Sequence, residues 1–388
     1  MIIQSSRVFI SGGFIKAQVH IESGRIRAVQ EYGACKPDID YGDDMIVPGF
    51  IDVHTHGGYG YSVSSGSEGE LVSWLSKLPH EGVTAVLPTV GTSADVATFA
   101  MVKNIADVMC KVDVSGEHNS PENIQGAQIL GIHLEGPFLD KDYRGAHDEK
   151  LLQSPNIALF EEFQEAALGN IKYMTIAPEH DDNFEFIKHV SQNGVRIAIG
   201  HTSACSETAR LALANGAVSF THSFNAMRAL HHREPGTVGA LMASDAFAEV
   251  IADGHHVHPD VINILFKSKN YAKLILVTDS LMCKGLEAGV YESGGVKLEV
   301  DAFGAAKIHN TNTLAGSTLK MNEGIKFLVE RAMIPLNYAI MAATLYPAQM
   351  LGTERQKGQI VSFADADITV LDDRFNVKQT YCLGKEML

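Results

Sequence analysis

Residues 48–57 read Pro48-Gly49-Phe50-Ile51-Asp52-Val53-His54-Thr55-His56-Gly57, a short apolar run that ends in two histidines two positions apart. Side chains alternate across a β-strand, so residues i and i+2 emerge on one side. His54 and His56 therefore predict two imidazoles turned the same way at the end of a strand. The run continues a candidate strand from Met45 to Val53, which opens a repeating pattern of buried strand, polar turn and amphipathic helix. Further strands are expected at Thr84 to Val90, Gln128 to Leu134, Lys172 to Ala177, Arg196 to Gly200, Ala217 to Thr221, Ala248 to Ala252 and Leu274 to Thr278. Helices are expected between most of them, for example over Ser93 to Cys110, Asn183 to Asn193 and Glu207 to Asn215. Eight strands alternating with helices predict an α/β chain built on a (β/α)8, TIM-like barrel. A doubly wound open sheet is the competing arrangement, and the lack of a GxGxxG after the first strand weakens its dinucleotide-binding form.

The ends of the chain have a different texture. Ile2 to Ile10, Ile15 to Ile21 and Arg25 to Gln30 alternate apolar and polar residues between Gly and Ser turns, and Gln359 to Val361, Asp367 to Leu371 and Lys378 to Leu383 do the same. We expect residues 1–47 and 353–388 to pair as a small β-sandwich domain, with 48–352 forming the barrel. The length of 388 residues accommodates this, since such a barrel takes roughly 250.

Composition narrows the function classes. The chain is 45% hydrophobic and 20% charged, as in an ordinary globular protein, with 35 glycines for its many turns. A net charge of −15 argues against nucleic acid as a partner, because phosphate backbones attract basic surfaces. It leaves room for one small phosphorylated ligand held by a few local cations. The 5 cysteines are scattered and never form a CxxC pair, which argues against a disulfide framework or a thiolate metal site and predicts a cytoplasmic protein. The opening residues lack a basic-then-apolar signal pattern, and no apolar run approaches the roughly 20 residues of a membrane span.

In barrels of this kind, catalytic groups gather where the strands end at their carboxyl side. Strand one ends in His54-Thr55-His56, strand three in His133-Leu134-Glu135-Gly136-Pro137, strand five in Gly200-His201-Thr202 and strand six in Thr221-His222-Ser223. Strand seven ends in Asp253-Gly254-His255-His256 and strand eight in Thr278-Asp279-Ser280. Imidazole and carboxylate without thiolate suit a divalent cation, Zn²⁺ before Fe²⁺, Mn²⁺ or Co²⁺. A bound ion of this type makes hydroxide available near neutral pH.

These motifs, with His133-Leu134-Glu135-Gly136-Pro137-Phe138, Arg144-Gly145-Ala146-His147, Asn225-Ala226-Met227, Arg233-Glu234-Pro235-Gly236, Ile251-Ala252-Asp253-Gly254-His255-His256-Val257 and Leu314-Ala315-Gly316-Ser317, run over nearly the whole chain. The sequence resembles the amidohydrolase superfamily and, within it, the N-acetylglucosamine-6-phosphate deacetylase family. The resemblance implies that Glu135, His201 and His222 hold the principal metal, and that Asp279 is the general base that activates water and then protonates the departing amine. It implies contacts from Ala146, His147 and His256 to the sugar and its acetyl carbonyl, from Asn225 and Ala226 toward substrate and phosphate, and from Leu314, Ala315 and Gly316 on the acetyl side. Arg233 would bind the phosphate, within its own subunit or across a homodimer interface. Some relatives keep the pair His54 and His56 and bind a second metal while others replace it and use one; with both present here the resemblance leaves one or two metals open, with Glu135 the better bridging candidate. Lys172 starts its strand and is badly placed to bridge two metals. The competing readings are the same chemistry on N-acetylgalactosamine 6-phosphate, another amidohydrolase such as a dihydroorotase or deaminase, and a non-catalytic barrel that only binds.

Overall fold

A computed structural model of the chain describes residues 1–65, 67–113, 126–293 and 295–388. Eight parallel strands follow one another around the barrel: Phe50–Thr55, Val83–Gly91, Ile132–Glu135, Ile171–Ile176, Arg196–Ile199, Ala217–Phe220, Phe247–Ile251 and Leu274–Val277. Three are buried at every position and the other five at all but one, as expected of parallel strands covered by helices on one side and by the barrel's own core on the other. The ring closes between the last strand and the first just beyond their ladders. The Asp279 amide donates to the His54 carbonyl (2.8 Å) and the His56 amide to the Ser280 carbonyl (2.8 Å). The buried Asp52 carboxylate adds a clamp by accepting from the Thr278 hydroxyl (2.6 Å) and amide (3.3 Å).

Local sequence explains the covering helices. Pro259–Ser268 starts after His258, whose ring accepts from the Asp260 amide (3.2 Å), and has proline at its first position, where a missing N–H costs nothing. Asp260 in its first turn and Lys267 in its last complement the helix dipole. Ile262, Leu265 and Phe266 recur at helical spacing and are the residues it buries.

Three expected strands are cut differently. The run Met45 to Val53 breaks at Gly49: Met45–Pro48 pairs antiparallel with Ile368–Leu371, and only Phe50–Thr55 enters the barrel. A side chain at Gly49 would place its Cβ 2.2 Å from the Thr84 hydroxyl, so the chain can change sheets there only without one. Gln128 to Leu134 divides into Gln128–Ile129 and Ile132–Glu135 around Leu130 and Gly131. The stretch Gln359 to Val361 forms no strand; Ile360 is buried against the terminal sheet by its side chain alone.

The chain ends build one sheet of eight strands, ordered Lys385–Glu386, Val377–Cys382, Ile368–Leu371, Met45–Pro48, Ile2–Ile10, Gly13–Glu22 and Arg25–Glu31, with Ile39–Asp40 also paired to Ile2–Ile10. It carries its own apolar cluster, including Ile3, Val19, Ile26, Ile46, Ile368, Val370 and Tyr381. Among the described residues no helix is long and apolar enough to cross a membrane.

A buried ionic knot ties this sheet to the barrel. The Lys357 ammonium contacts Asp365 (2.8 Å), Asp367 (2.6 Å) and the Gln128 side-chain carbonyl (2.8 Å), and all three charged groups are almost wholly buried. Removing the cation from such a cluster strands two carboxylates away from water. Lys357→Met should lower the unfolding free energy by about 3–5 kcal/mol in denaturant titrations; an unchanged midpoint would show that the two acids find other compensation.

Candidate active site

Parallel register brings the distant strand ends into one mouth. Glu135 ends the third strand opposite Gly91 and Thr175. Gly91 has no side chain, and the His56 and His147 rings occupy that space, each within 4 Å of where a Cβ would stand. His201, His222 and Asp279 each lie two residues beyond the end of their strand, and each takes a left-handed backbone conformation, with φ of 48°, 25° and 47°. Such a turn reverses the side chain's direction into the mouth. It costs about 1–3 kcal/mol for a non-glycine residue and persists only where the surroundings enforce it.

The Glu135 carboxylate is the hub. Its Oε1 lies 3.2 Å from His201 Nε2, 3.2 Å from His222 Nε2 and 3.4 Å from His54 Nε2. Its Oε2 lies 3.1 Å from His56 Nε2 and 3.5 Å from His147 Nε2. The Asp279 carboxylate faces the same group, 3.4 Å from His54 Nε2 and 3.3 Å from His56 Nε2. The ring nitrogens of His201 and His222 approach each other to 3.0 Å. His201 is turned by its other nitrogen, held by the Tyr143 carbonyl (2.8 Å), and His56 by the Thr89 carbonyl (3.1 Å).

Electrostatics follow from burial among charges. Burial opposes the ionised form of both acids, yet the surrounding histidines hold Glu135 well below the usual carboxylate range and also lower Asp279. Burial likewise opposes protonation of His56, but Asp279 and Glu135 push its pKa up to about 9. His201 goes the other way, to about 4, because burial and the neighbouring His222 outweigh its bond to Glu135.

This set can hold a cation. Tetrahedral ligands about 2.0–2.1 Å from one ion stand roughly 3.3 Å from each other. The Glu135, His201 and His222 atoms are separated by 3.0–3.2 Å. Two of these groups are ring nitrogens that face each other, and the buried His54 Nε2 makes no hydrogen bond. Once their protons are gone, ring nitrogens and a carboxylate converging this closely fit a positive ion. His54, His56 and Glu135 form a second group of suitable ligand atoms, and Glu135, His147 and His201 a third.

The other expected site residues are placed less tightly. His256 is fixed by Asp253, which accepts from its Nδ1 (2.7 Å). Ala146 is half-buried next to His147, and Ala315 is buried beside half-buried Leu314. At Gly316 φ is 51°, and a Cβ would come within 2.8 Å of the Asp279 carbonyl, so this loop lies directly against the acid. Ala226 (φ 49°) follows Asn225, whose side-chain amide is turned back to the carbonyls of His222 (3.1 Å) and Ser223 (3.2 Å). Arg233 does not join the cluster: it is exposed, touches His232 (2.7 Å), and lines an open groove of about 790 Å³ with Arg210 and Arg228.

Sequence reasoning quoted Asp52 and Asp253 within its motifs without giving either a role, and passed over Tyr173 and Glu249. Glu249 carried a readable signal, a lone acid inside the apolar strand Phe247–Ile251. His133 shares the strand parity of Glu135 but lies deeper, bound through both ring nitrogens to Thr89 (3.1 Å) and Thr175 (2.9 Å).

Comparison with known proteins fits this geometry. A model of the amidohydrolase family matches residues 45–387. N-acetylglucosamine-6-phosphate deacetylase of Bacillus subtilis (strain 168) is 37% identical over 88% of this chain and 84% of its own. N-acetylgalactosamine-6-phosphate deacetylase of Escherichia coli O157:H7 is 31% identical over 99% of this chain and 98% of its own. The solved structure of a mutant N-acetyl-D-glucosamine-6-phosphate deacetylase from Mycobacterium smegmatis, in complex with N-acetyl-D-glucosamine-6-phosphate, superposes with a TM-score of 0.92 at 30% identity, covering 100% of this chain and 99% of that one. Matched at these levels over most of its length, the chain belongs to the amidohydrolase family and, within it, to the N-acetylglucosamine-6-phosphate deacetylase family.

Proposed function

We propose that this protein hydrolyses the acetamide of N-acetyl-D-glucosamine 6-phosphate, giving glucosamine 6-phosphate and acetate in the cytoplasm. The observation that carries the reading is the single mouth in which Asp279 faces the Glu135–histidine cluster at 3.3–3.4 Å. In this reading Glu135, His201 and His222 hold the principal divalent cation, and His54 and His56 share Glu135 with a second. Zn²⁺ is the ion this ligand set favours, ahead of Fe²⁺, Mn²⁺ and Co²⁺. The chemistry such an ion supplies is acidity: water beside it ionises near pH 7 rather than about 16, and a carbonyl oxygen beside it is polarised.

The chain's own groups do the rest. Asp279, kept ionised by His54 and His56, takes a proton from the attacking water. Water oxygen bonds to the acetyl carbon, the C–N bond breaks, and Asp279 returns the proton to nitrogen, which leaves as an amine. His147 and His256 steady the acetyl carbonyl and the sugar; Asp253 holds His256 in place. Leu314, Ala315 and Gly316 border the acetyl group, and Ala146, Asn225 and Ala226 border the sugar and phosphate. Arg233, exposed and outside the cluster, suits the phosphate of a neighbouring protomer in a homodimer. A guanidinium offers the paired donors a phosphate accepts. The relationship to the Escherichia coli enzyme favours a second reading, the galacto epimer of the same substrate.

Amine release from both acetylated hexosamine 6-phosphates, measured side by side with zinc content, tests the activity and the epimer together; no release from either refutes it. Asp279→Asn should keep its fold and its metal while kcat falls by about 100- to 10,000-fold. Turnover like that of the wild type would remove Asp279 from the proton transfers. Arg233→Ala should raise KM for the phosphorylated sugar by at least about tenfold, the worth of one charged hydrogen bond. Equal effects on phosphorylated and unphosphorylated sugars would detach Arg233 from the phosphate.

A further inference from the structure

Glu249 is fully buried in the seventh barrel strand, and none of the chemistry above uses it. Its carboxylate accepts from donors on three separate parts of the barrel: the His54 ring at Nδ1 (3.1 Å), the His222 backbone amide (3.1 Å) and the Tyr173 hydroxyl (2.5 Å). A carboxylate only accepts, so the His54 nitrogen facing it carries hydrogen. The opposite nitrogen of the same ring makes no hydrogen bond, is buried, and points to Glu135 and Asp279 at 3.4 Å each. An anion thus anchors one end of the ring, and the bare end is presented to the site.

The other cluster histidines with a recorded rear partner differ. His201 and His56 rest on neutral backbone carbonyls, at 2.8 and 3.1 Å. We propose that Glu249 is a positioning residue that, acting through His54, decides whether the chain holds a second divalent cation beside Glu135. This rests on the cation reading given above and adds a control to it. A ligating imidazole whose other N–H is given to a carboxylate is fixed in orientation and binds more strongly; losing such a partner weakens metal affinity about 10–100-fold. The effect should fall on the His54 and His56 side, since Glu249 reaches the principal set only through the His222 backbone amide, a bond that the glutamine carbonyl of Glu249→Gln can still accept. The Tyr173 hydroxyl, donating to Glu249 from the fourth strand, holds the carboxylate in place.

The test is zinc binding by the whole chain, stripped with chelator and titrated with Zn²⁺, read by calorimetry and by bound zinc per chain. The wild type should bind two equivalents. Glu249→Gln preserves shape, its carbonyl able to accept from His54 and its amide able to face Tyr173. It should keep one equivalent at wild-type affinity and bind the other about 10–100-fold more weakly. His54→Asn should hold one equivalent, and adding Glu249→Gln to it should change zinc binding no further. Circular dichroism checks each fold; should the Gln variant not fold, Tyr173→Phe replaces it, with a smaller loss expected on the same equivalent. Two equivalents at wild-type affinity in the variant, loss of both, or a single equivalent in the wild type each overturn the proposal. Deacetylation by a wild type that binds one zinc would leave the proposed activity standing while removing this role for Glu249.

Discussion

The structure turns on one buried carboxylate. Glu135 lies between the ring nitrogens of His54, His56, His147, His201 and His222, all within 3.1–3.5 Å. Imidazoles packed this tightly can satisfy a buried anion only by carrying protons, and they repel one another when they do. The opposed shifts of His56 toward 9 and His201 toward 4 express that conflict within one cluster. Divalent cations would resolve it, since each group of converging lone pairs would then share a positive partner. The barrel exists, in this sense, to hold acceptors where they cannot satisfy each other.

Holding them there is a backbone problem. His201, His222 and Asp279 occupy equivalent positions past three different strands and share a left-handed conformation that side-chain-bearing residues avoid. The strain is offset by the apolar core beneath and by specific ties at the rim. Asp52 is the clearest of these, gripping Thr278 beside Asp279 from the strand that carries His54. The closure hydrogen bonds, from the Asp279 amide to the His54 carbonyl and from the His56 amide to the Ser280 carbonyl, place acid and ligands in one rigid frame.

How much of this the sequence displays depends on range. The barrel strands and the pair His54/His56 follow from local periodicity, because alternation needs only neighbours. The gathering of Glu135, His201, His222 and Asp279 follows from the rule for strand ends once the strands are found. The break at Gly49 was not legible, because its cause is Thr84 in the next strand. Nor was the rear support of the site: Glu249 serves residues 195 and 27 positions away in sequence. Arg233 is a different case, since an exposed loop residue takes its meaning from whatever covers it.

The same barrel also shows what separates a ligand from a structural histidine. His133 and His54 pack edge to face at 4.6 Å, both fully buried. His133 has both nitrogens bonded, to Thr89 and Thr175, and the Thr175 hydroxyl continues to Thr221 (2.8 Å). That layer is closed, and burial holds His133 neutral, with its pKa well below the ordinary value. His54 has one nitrogen bonded and one bare. Strand parity cannot tell the two apart, because both point inward. The distinction is one of hydrogen-bonding capacity: where hydroxyls line the next strands a buried imidazole is satisfied and inert, and where carboxylates and other imidazoles line them it is left needing an ion.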